Sequence, residues 1–383
     1  MPAGSRAGEI IMGDWLGKDT GKLGFGMMRL PKKAVFTDVE QTKRMVDLFL
    51  DAGFTYFDTA HVYQGSEDTM RKALVKRHPR DSYTIATKLY APSASSEKQA
   101  RKQFETSLSR LGTDYIDYYL LHSLMGSNFR KYDQFRLWDY VKGLKEEGKI
   151  RHIGFSFHDG PELLEKLLIA HPEVEFVQLQ INYADWENPS VTSRRNYEVA
   201  RKYGKAITVM EPVKGGALAD PPAEVKKLFK EYHPDLSCAS WAIRFAASLE
   251  GILTVLSGMS DMDQMRDNLS YMKDFQPLNP EEQAIIRKAQ RIMQHSSTIP
   301  CTACRYCVEG CPKKILIPDI FHAMNLQLGN GQLEAAREAY AEAAEKGSPA
   351  SACIRCRKCE GVCPQHLPIT EHLEEAAAMF EKG

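Results

Sequence analysis

Along the first 275 positions, short runs of apolar, β-branched and aromatic residues alternate with longer segments whose apolar positions recur every three or four residues. A short apolar run bounded by turn residues reads as a strand buried on both faces, and the wider spacing reads as a helix with one apolar face. The pattern predicts eight strands, at residues 22–26, 55–58, 83–88, 116–122, 152–156, 176–180, 207–211 and 253–257. Between them it predicts helices, among them 39–52, 97–111, 133–147, 162–170 and 196–203. Gly53, Gly112, Gly148, Gly204 and Gly251 each end a helix pattern just before a strand, the place of a left-handed cap. Eight such units in about 250 residues predict an α/β fold, a (β/α)8 TIM barrel. An open doubly wound sheet is the alternative. It is disfavoured because no G-x-G-x-x-G follows a predicted strand; Gly24-Phe25-Gly26 runs on into Met27-Met28-Arg29.

The chain has 383 residues, 43% of them hydrophobic and 26% charged, which excludes a disordered polymer. Fifty Lys+Arg balance fifty Asp+Glu, so no net field draws nucleic acid or an anionic membrane. No apolar run approaches the roughly 18 residues of a membrane span; Arg244 and Glu250 interrupt the most apolar late stretch. The opening MPAGSRAGEI lacks the apolar stretch of a secretory signal, so a cytoplasmic location is expected. Balanced charge suits a monomer or a homodimer.

Nine cysteines sharpen the picture. Cys238 stands in SCASWAIRFAAS, a helical apolar pattern, and is expected to be a small core residue. The other eight form two blocks, Cys301-x2-Cys304-x2-Cys307-x3-Cys311-Pro312 and Cys353-x2-Cys356-x2-Cys359-x3-Cys363-Pro364. This is the iron–sulfur spacing of bacterial ferredoxins, in which the fourth Cys of each run ligates the other cluster. Iron in such clusters favours soft, anionic thiolates. Disulfides are disfavoured without a secretory signal, and zinc sites usually separate two Cys pairs by a longer loop. Arg305, Lys313, Lys314, Arg355, Arg357 and Lys358 flank the blocks and can offset cluster charge. Each Cys-Pro precedes a similar run, KKILIPDIF and QHLPITEHL, with Pro318-Asp319 and Thr370-Glu371 suited to acidic helix starts. Residues 332–346 read as a helix capped by Gly347. The module resembles the α-helical ferredoxin domain with two 4Fe–4S clusters. That resemblance assigns Cys301, Cys304, Cys307 and Cys363 to one cluster and Cys353, Cys356, Cys359 and Cys311 to the other.

A barrel places chemistry at the C-terminal ends of its strands. Asp58, Lys88 and His122 fall there, with Tyr63 in the loop after Asp58. Each also has a plain structural reading as a cap, a strand end, a core histidine or a packed aromatic. Phe57-Asp58-Thr59-Ala60-His61-Val62-Tyr63 with Ser66-Glu67, Ala86-Thr87-Lys88-Leu89 and Leu120-Leu121-His122 resemble the signature motifs of the aldo-keto reductases. With Leu23-Gly24-Phe25-Gly26 and Ile153-Gly154-Phe155-Ser156, the likeness spans most of residues 20–275. The fused cysteine blocks resemble the ferredoxin-fused branch of that family.

The resemblance implies hydride transfer between NAD(P)H and a carbonyl or alcohol. Tyr63 would be the proton donor, Lys88 would lower its pKa, Asp58 would orient Lys88, and His122 would hydrogen-bond the substrate oxygen. It assigns Gly26, Met27, Met28, Ser156, Gln180, Met210, Lys214, Gly215, Ser257, Gly258, Ser260, Gln264 and Asn268 to the cofactor. Phe157 stands where the family carries Asn, and Met210 where many members stack Tyr. Gly258 and Gln264 occupy positions where many members place Lys and Arg against a 2′-phosphate, which makes NADH use as plausible as NADPH use. Met28, Arg29, Tyr90, Met125, Phe129 and Trp186 are candidates for the barrel mouth. The clusters have three open roles: electron relay with a ferredoxin-like partner, structural staple, or sensor. A rival to the carbonyl reductase is thus an electron-transfer or redox-sensing protein whose barrel mainly binds nicotinamide. The expected layout is a barrel at 1–275, a linker and connecting helix at 276–297, and the ferredoxin-like domain at 298–383.

Overall fold

The computed structural model describes residues 16, 20–34, 36–294 and 298–381. The opening MPAGSRAGEI and residues 295–297 of the expected linker therefore lie outside the described residues. Contacts divide the chain into two compact units. The first is 1–181, 192–212 and 243–277; the second is 182–191, 213–242 and 278–383.

In the first unit all eight predicted strands are present. They are β1 (Leu23–Gly26), β2 (Tyr56–Asp58), β3 (Thr84–Leu89), β4 (Ile116–Leu124), β5 (Ile150–Phe157), β6 (Phe176–Gln180), β7 (Ala206–Met210) and β8 (Ile252–Ser257). Each pairs in parallel with its neighbour in sequence, and β1 pairs with β8 to close a barrel. Tyr56, Ala86, Tyr118, Leu120, Phe176, Ala206 and Leu256 fill one core cluster. Gly154 makes this filling possible, because a Cβ there would lie 2.5 Å from the Phe176 ring. Phe25 on β1 and Phe57 on β2 pack with Phe49 of helix Val39–Asp51, ring centroids 5.3–6.1 Å apart, tying that helix to the two strands.

The five glycines expected at helix ends all have positive φ. Two local expectations are corrected. The helix foreseen at 133–147 is two helices, Phe129–Gln134 and Leu137–Glu146, separated at Arg136 with φ 48°. The break lets Trp138 Nε1 donate to Asp133 Oδ1 at 3.0 Å. Strand β4 also runs past His122, through a register shift between Leu121 and Leu124 where Ser123 has φ 56°. Such bulges re-aim a side chain beside a site.

The second unit contains helices Ala223–Tyr232, Pro280–Met293, Ile317–Asn330, Leu333–Lys346 and Ile369–Phe380. Asp319 and Glu371 lie in first turns, as expected. Gly347 follows its helix but is not left-handed, with φ −133°. A Cβ there would sit 2.8 Å from Leu316 Cγ and Lys314 O, so close packing is the reason for glycine. Cys238 begins helix Cys238–Ala247 and is half-buried, not a core residue; burial raises its thiol pKa. No helix among the described residues is long and apolar enough to cross a membrane.

Candidate functional site

The first site lies at the strand ends of the barrel. Lys88 on β3 is fully buried, and its Nζ donates to Asp58 Oδ1 at 2.6 Å and to Thr59 O at 2.7 Å. Gln178 on β6 donates to the other Asp58 oxygen at 3.2 Å. Burial raises the Asp58 pKa and lowers that of Lys88, while each charge opposes the shift of the other. The Lys88 ammonium lies 5.1 Å from the Tyr63 ring centroid. The buried His122 ring meets Tyr63 edge-on at 5.6 Å and Tyr90 at 5.6 Å. Burial, then the charges of Lys88 and His158, hold the His122 pKa well below the usual imidazole range. His122 is therefore a neutral donor or acceptor at physiological pH. The four residues singled out from the sequence are thus brought together. Gln178 was missed, because an inward-facing strand Gln carries no signal in a single sequence.

The loop after β2 is held by buried polar contacts. Glu67 accepts from Thr87 at 2.9 Å and from Arg110 at 3.2 Å. Ser66 Oγ shares a 2.7 Å hydrogen bond with Thr59 and donates to Met27 O at 2.8 Å. This fixes the backbone next to Gly26.

The residues assigned to a nicotinamide cofactor fall into separate groups. Ser156 on β5 is buried and accepts from Ser123 N at 2.7 Å. Gln180 and Met210 end β6 and β7 as partners in register. Gly26 faces the end of β8, where a Cβ would lie 3.4 Å from Ser257 O and 3.8 Å from Gly258 Cα. Asn268 is buried and donates to Ser257 Oγ at 2.6 Å. Ser260 Oγ donates to Arg29 O at 2.7 Å. Asp261, not singled out from the sequence as a binding residue, caps helix Met262–Met272 by accepting from Gln264 N at 2.8 Å. Met27 is buried and Met28 exposed. Of the mouth candidates, Met125 is buried, and Arg29 lies 3.7 Å from Glu211. Lys214 and Gly215 belong to the second unit, where Lys214 forms a buried ion pair with Asp185.

The second site is in that unit. All nine cysteines are free. Cys301, Cys304, Cys307 and Cys363 line one cavity of about 320 Å³ of atom-free space. Cys311, Cys353, Cys356 and Cys359 line another of about 330 Å³. Among the described residues no three His, Cys, Asp or Glu side chains converge as a single-ion site. Four sulfurs around a cavity suit a polynuclear cluster better than one zinc ion. The backbone supports the same fit. Ala303, Arg305 and Lys314 have φ of 52°, 66° and 55°, and Arg355, Arg357 and His366, at equivalent places of the second block, have 53°, 55° and 52°. Ala303 N and Arg355 N point at Cys301 and Cys353 sulfur at 3.5 and 3.4 Å. Left-handed residues that turn amides inward form concave nests for anions, including iron–sulfur centres. Burial, then neighbouring Cys304, Cys301, Cys363 and Cys359, push the Cys307 thiol far up, so iron bound there would have to stabilise its thiolate. Three of the six flanking cations already pair with carboxylates: Arg305 with Asp319, Arg355 with Glu374 and Arg357 with Glu360.

The barrel thus carries a buried lysine–carboxylate pair beside a tyrosine and a histidine at its strand ends, and it shares its chain with a cysteine module. The chain belongs to the aldo/keto reductase family, which it matches over residues 22–291. Residues 300–367 match the 4Fe-4S dicluster domain. An aldo-keto reductase of Mycolicibacterium smegmatis is 31% identical over 189 residues, covering 48% of this chain and 64% of that protein. An uncharacterized oxidoreductase of Schizosaccharomyces pombe is 27% identical over 282 residues, 69% of this chain and 85% of that one. The holo form of an aldo-keto reductase from Bacillus halodurans superposes with a TM-score of 0.55 at 27% identity, covering 70% of this chain and 91% of that one. A Klebsiella pneumoniae aldo-keto reductase in complex with NADPH shares the fold, with a TM-score of 0.57 at 21% identity over 70% of this chain and 90% of that one.

Proposed function

We propose that the chain catalyses nicotinamide-dependent interconversion of a carbonyl compound and its alcohol, with Tyr63 as the acid in reduction and the base in oxidation. The observation that carries this reading is the wholly buried Lys88, paired with Asp58 at 2.6 Å and facing the Tyr63 ring at 5.1 Å. A phenol with a pKa near 10 is a poor proton donor at neutral pH. A nearby ammonium favours the phenolate and so lowers that barrier. Asp58 keeps Lys88 charged against the burial that would neutralise it, and Gln178 holds the other carboxylate oxygen. Neutral His122 donates a ring N–H to the substrate oxygen as charge develops there.

When bound, the nicotinamide gives or takes the hydride. Glycine at positions 26 and 258 leaves room at the β1–β8 seam, and Ser156, Gln180 and Met210 supply polar and thioether surface at three further strand ends. Asp261 beside Ser260 supports NADH over NADPH. The eight cluster cysteines would hold two 4Fe–4S groups, which would supply one-electron capacity or structural bridging, and cysteines outside disulfides suit a reducing compartment. A second reading, electron exchange with a ferredoxin-like partner, is favoured by one feature. Cys356, Lys313, Ile354, Arg357 and Lys358 are all exposed around the second cavity.

An oxygen-free titration with NADH and NADPH, following nicotinamide fluorescence and cluster absorbance together, tests both readings. Cofactor binding with unbleached clusters, and carbonyl turnover lost in Tyr63→Phe, is the expected result. Turnover that survives Tyr63→Phe overturns the proton-donor role. Clusters bleached by reduced cofactor at a turnover rate favour the relay.

A further inference from the structure

Two segments that leave the barrel strands fold with the cysteine module. Residues 182–191 follow β6 and residues 213–242 follow β7, and both belong to the second unit. The contacts are specific. Gly215 has φ 66°, and a Cβ on it would lie 2.5 Å from Thr302 O, the residue after Cys301. Lys214 is buried in an ion pair with Asp185, whose other oxygen accepts from Asn182 at 2.8 Å. The same Lys214 Nζ donates to Gln365 Oε1 at 3.4 Å. Gln365 lies two residues after Cys363, and Thr302, Gln365 and Cys363 all line the Cys301 cavity. Lys214 itself has φ 50°, a conformation that non-glycine residues keep only when surrounding contacts impose it. Among the described residues, the Cys353 cavity is lined by residues from 311–317, 353–359, 370 and 373, with none from 182–191 or 213–242.

We propose that Lys214, Gly215 and Gln365 are positioning residues that make the order of segments 182–191 and 213–216 depend on occupancy of the Cys301, Cys304, Cys307 and Cys363 cavity. Thiolates bridged by a cluster fix the loops carrying Thr302 and Gln365. Those loops fix Gly215 and Lys214, and Lys214 fixes Asp185. The consequence for activity rests on the proposed function, since the segments continue from Gln180 and Met210. Loss of this one cluster then weakens nicotinamide binding, while loss of the other does not. The device makes the barrel responsive to oxidants that destroy the cluster, with no electron passing between the sites.

The test is hydrogen–deuterium exchange on the full-length, cluster-loaded protein. Gln365→Leu should keep its iron content and cluster absorbance, yet exchange faster at 182–191 and 213–216. Cys304→Ser should expose the same segments, whereas Cys356→Ser should leave them protected. Lys214→Met, whose lesion lies outside the cysteine loops, should speed removal of iron from the Cys301 cavity by a chelator. Unchanged exchange in Gln365→Leu, equal exposure in both cysteine variants, or an unchanged chelation rate in Lys214→Met overturns the proposal. NADH fluorescence titration reads the consequence: a dissociation constant raised about fivefold or more, the low end of site-to-site coupling, in Gln365→Leu and Cys304→Ser, and unchanged in Cys356→Ser. If loaded wild-type protein binds no nicotinamide, the functional reading fails, and the exchange data still decide the coupling.

Discussion

Replacing Asp58 by Asn removes one charge from the site and leaves its shape. Lys88 Nζ and Asp58 Oδ1 are 2.6 Å apart with both groups buried. At an effective dielectric near 20 their attraction is about 6 kcal/mol. The variant keeps neutral acceptors for Lys88, the amide oxygen of residue 58 and Thr59 O at 2.7 Å, but no counter-charge. A buried ammonium without a counter-charge releases its proton instead of staying ionised. Neutral Lys88 no longer favours the Tyr63 phenolate, so kcat/KM for carbonyl reduction should fall by about 10²–10⁴, the range of general acid–base effects. Lowering the pH recharges Lys88, so activity of Asp58→Asn should recover toward acid. Stability should move the other way. The folded-state pKa of Lys88 is depressed, so the unfolded chain binds more protons and the variant gains stability as pH rises. At the acid end the unpaired charge should cost about 3–5 kcal/mol. Steady-state kinetics and urea unfolding across roughly pH 6 to 9 measure both trends. Activity within about threefold of wild type across that range, or activity and stability rising together toward acid, refutes the assigned role of the pair.

The His122 pKa is depressed by burial, so its contribution to stability is present above about 6.5 and lost as pH falls. Wild type should therefore show a steeper acid slope than His122→Asn, by up to about 1.4 kcal/mol per pH unit, in denaturant titrations. Gly154→Ala should destabilise the barrel by about 1–3 kcal/mol through overpacking against Phe176, read as a lower urea midpoint with an unchanged slope. Cys304→Ser and Cys356→Ser should each lose about four irons per chain, and the double variant about eight, in anaerobic metal analysis; a total loss in either single variant would show that the cavities load as one. NADH should bind at least about tenfold more tightly than NADPH, because a 2′-phosphate near Ser260 would meet the Asp261 carboxylate; Asp261→Ser should narrow that ratio in a fluorescence titration.

The barrel was legible because its signal is local. Each strand is a short apolar run and each crossover helix has its own period, so eight strands could be read without knowing any partner. Their ends were harder. The expected end at His122 was two residues short, since the bulge at Ser123 depends on a hydrogen bond from its amide to Ser156, 33 residues away. The single helix expected at 133–147 failed for a similar reason. Its apolar period continues through Arg136, and only the Trp138–Asp133 bond shows where the chain turns. The cysteine partition is what the resemblance implies, and the two cavities group the eight cysteines in the same way.

What a single sequence hides is the destination of a long polar side chain. Lys214 follows a strand end in a Lys-Gly-Gly run, which reads as a phosphate contact or a solvated lysine. Nothing in its neighbours names Asp185, 29 positions earlier, or Gln365, 151 positions later. The glycine beside it was equally ambiguous. A phosphate loop and a tight packing contact both require a missing Cβ, and here the atom that excludes it is Thr302 O. Gln178 makes the complementary point on the barrel side: an amide on an inward-facing strand position looks like a packing defect until Asp58 is placed opposite it at 3.2 Å. Residue type therefore singled out Asp58, Tyr63, Lys88, His122 and the eight cysteines as candidates, because few side chains can perform such chemistry. It did not locate the groups that hold them, because a hydrogen-bond partner can come from any element that the fold brings near.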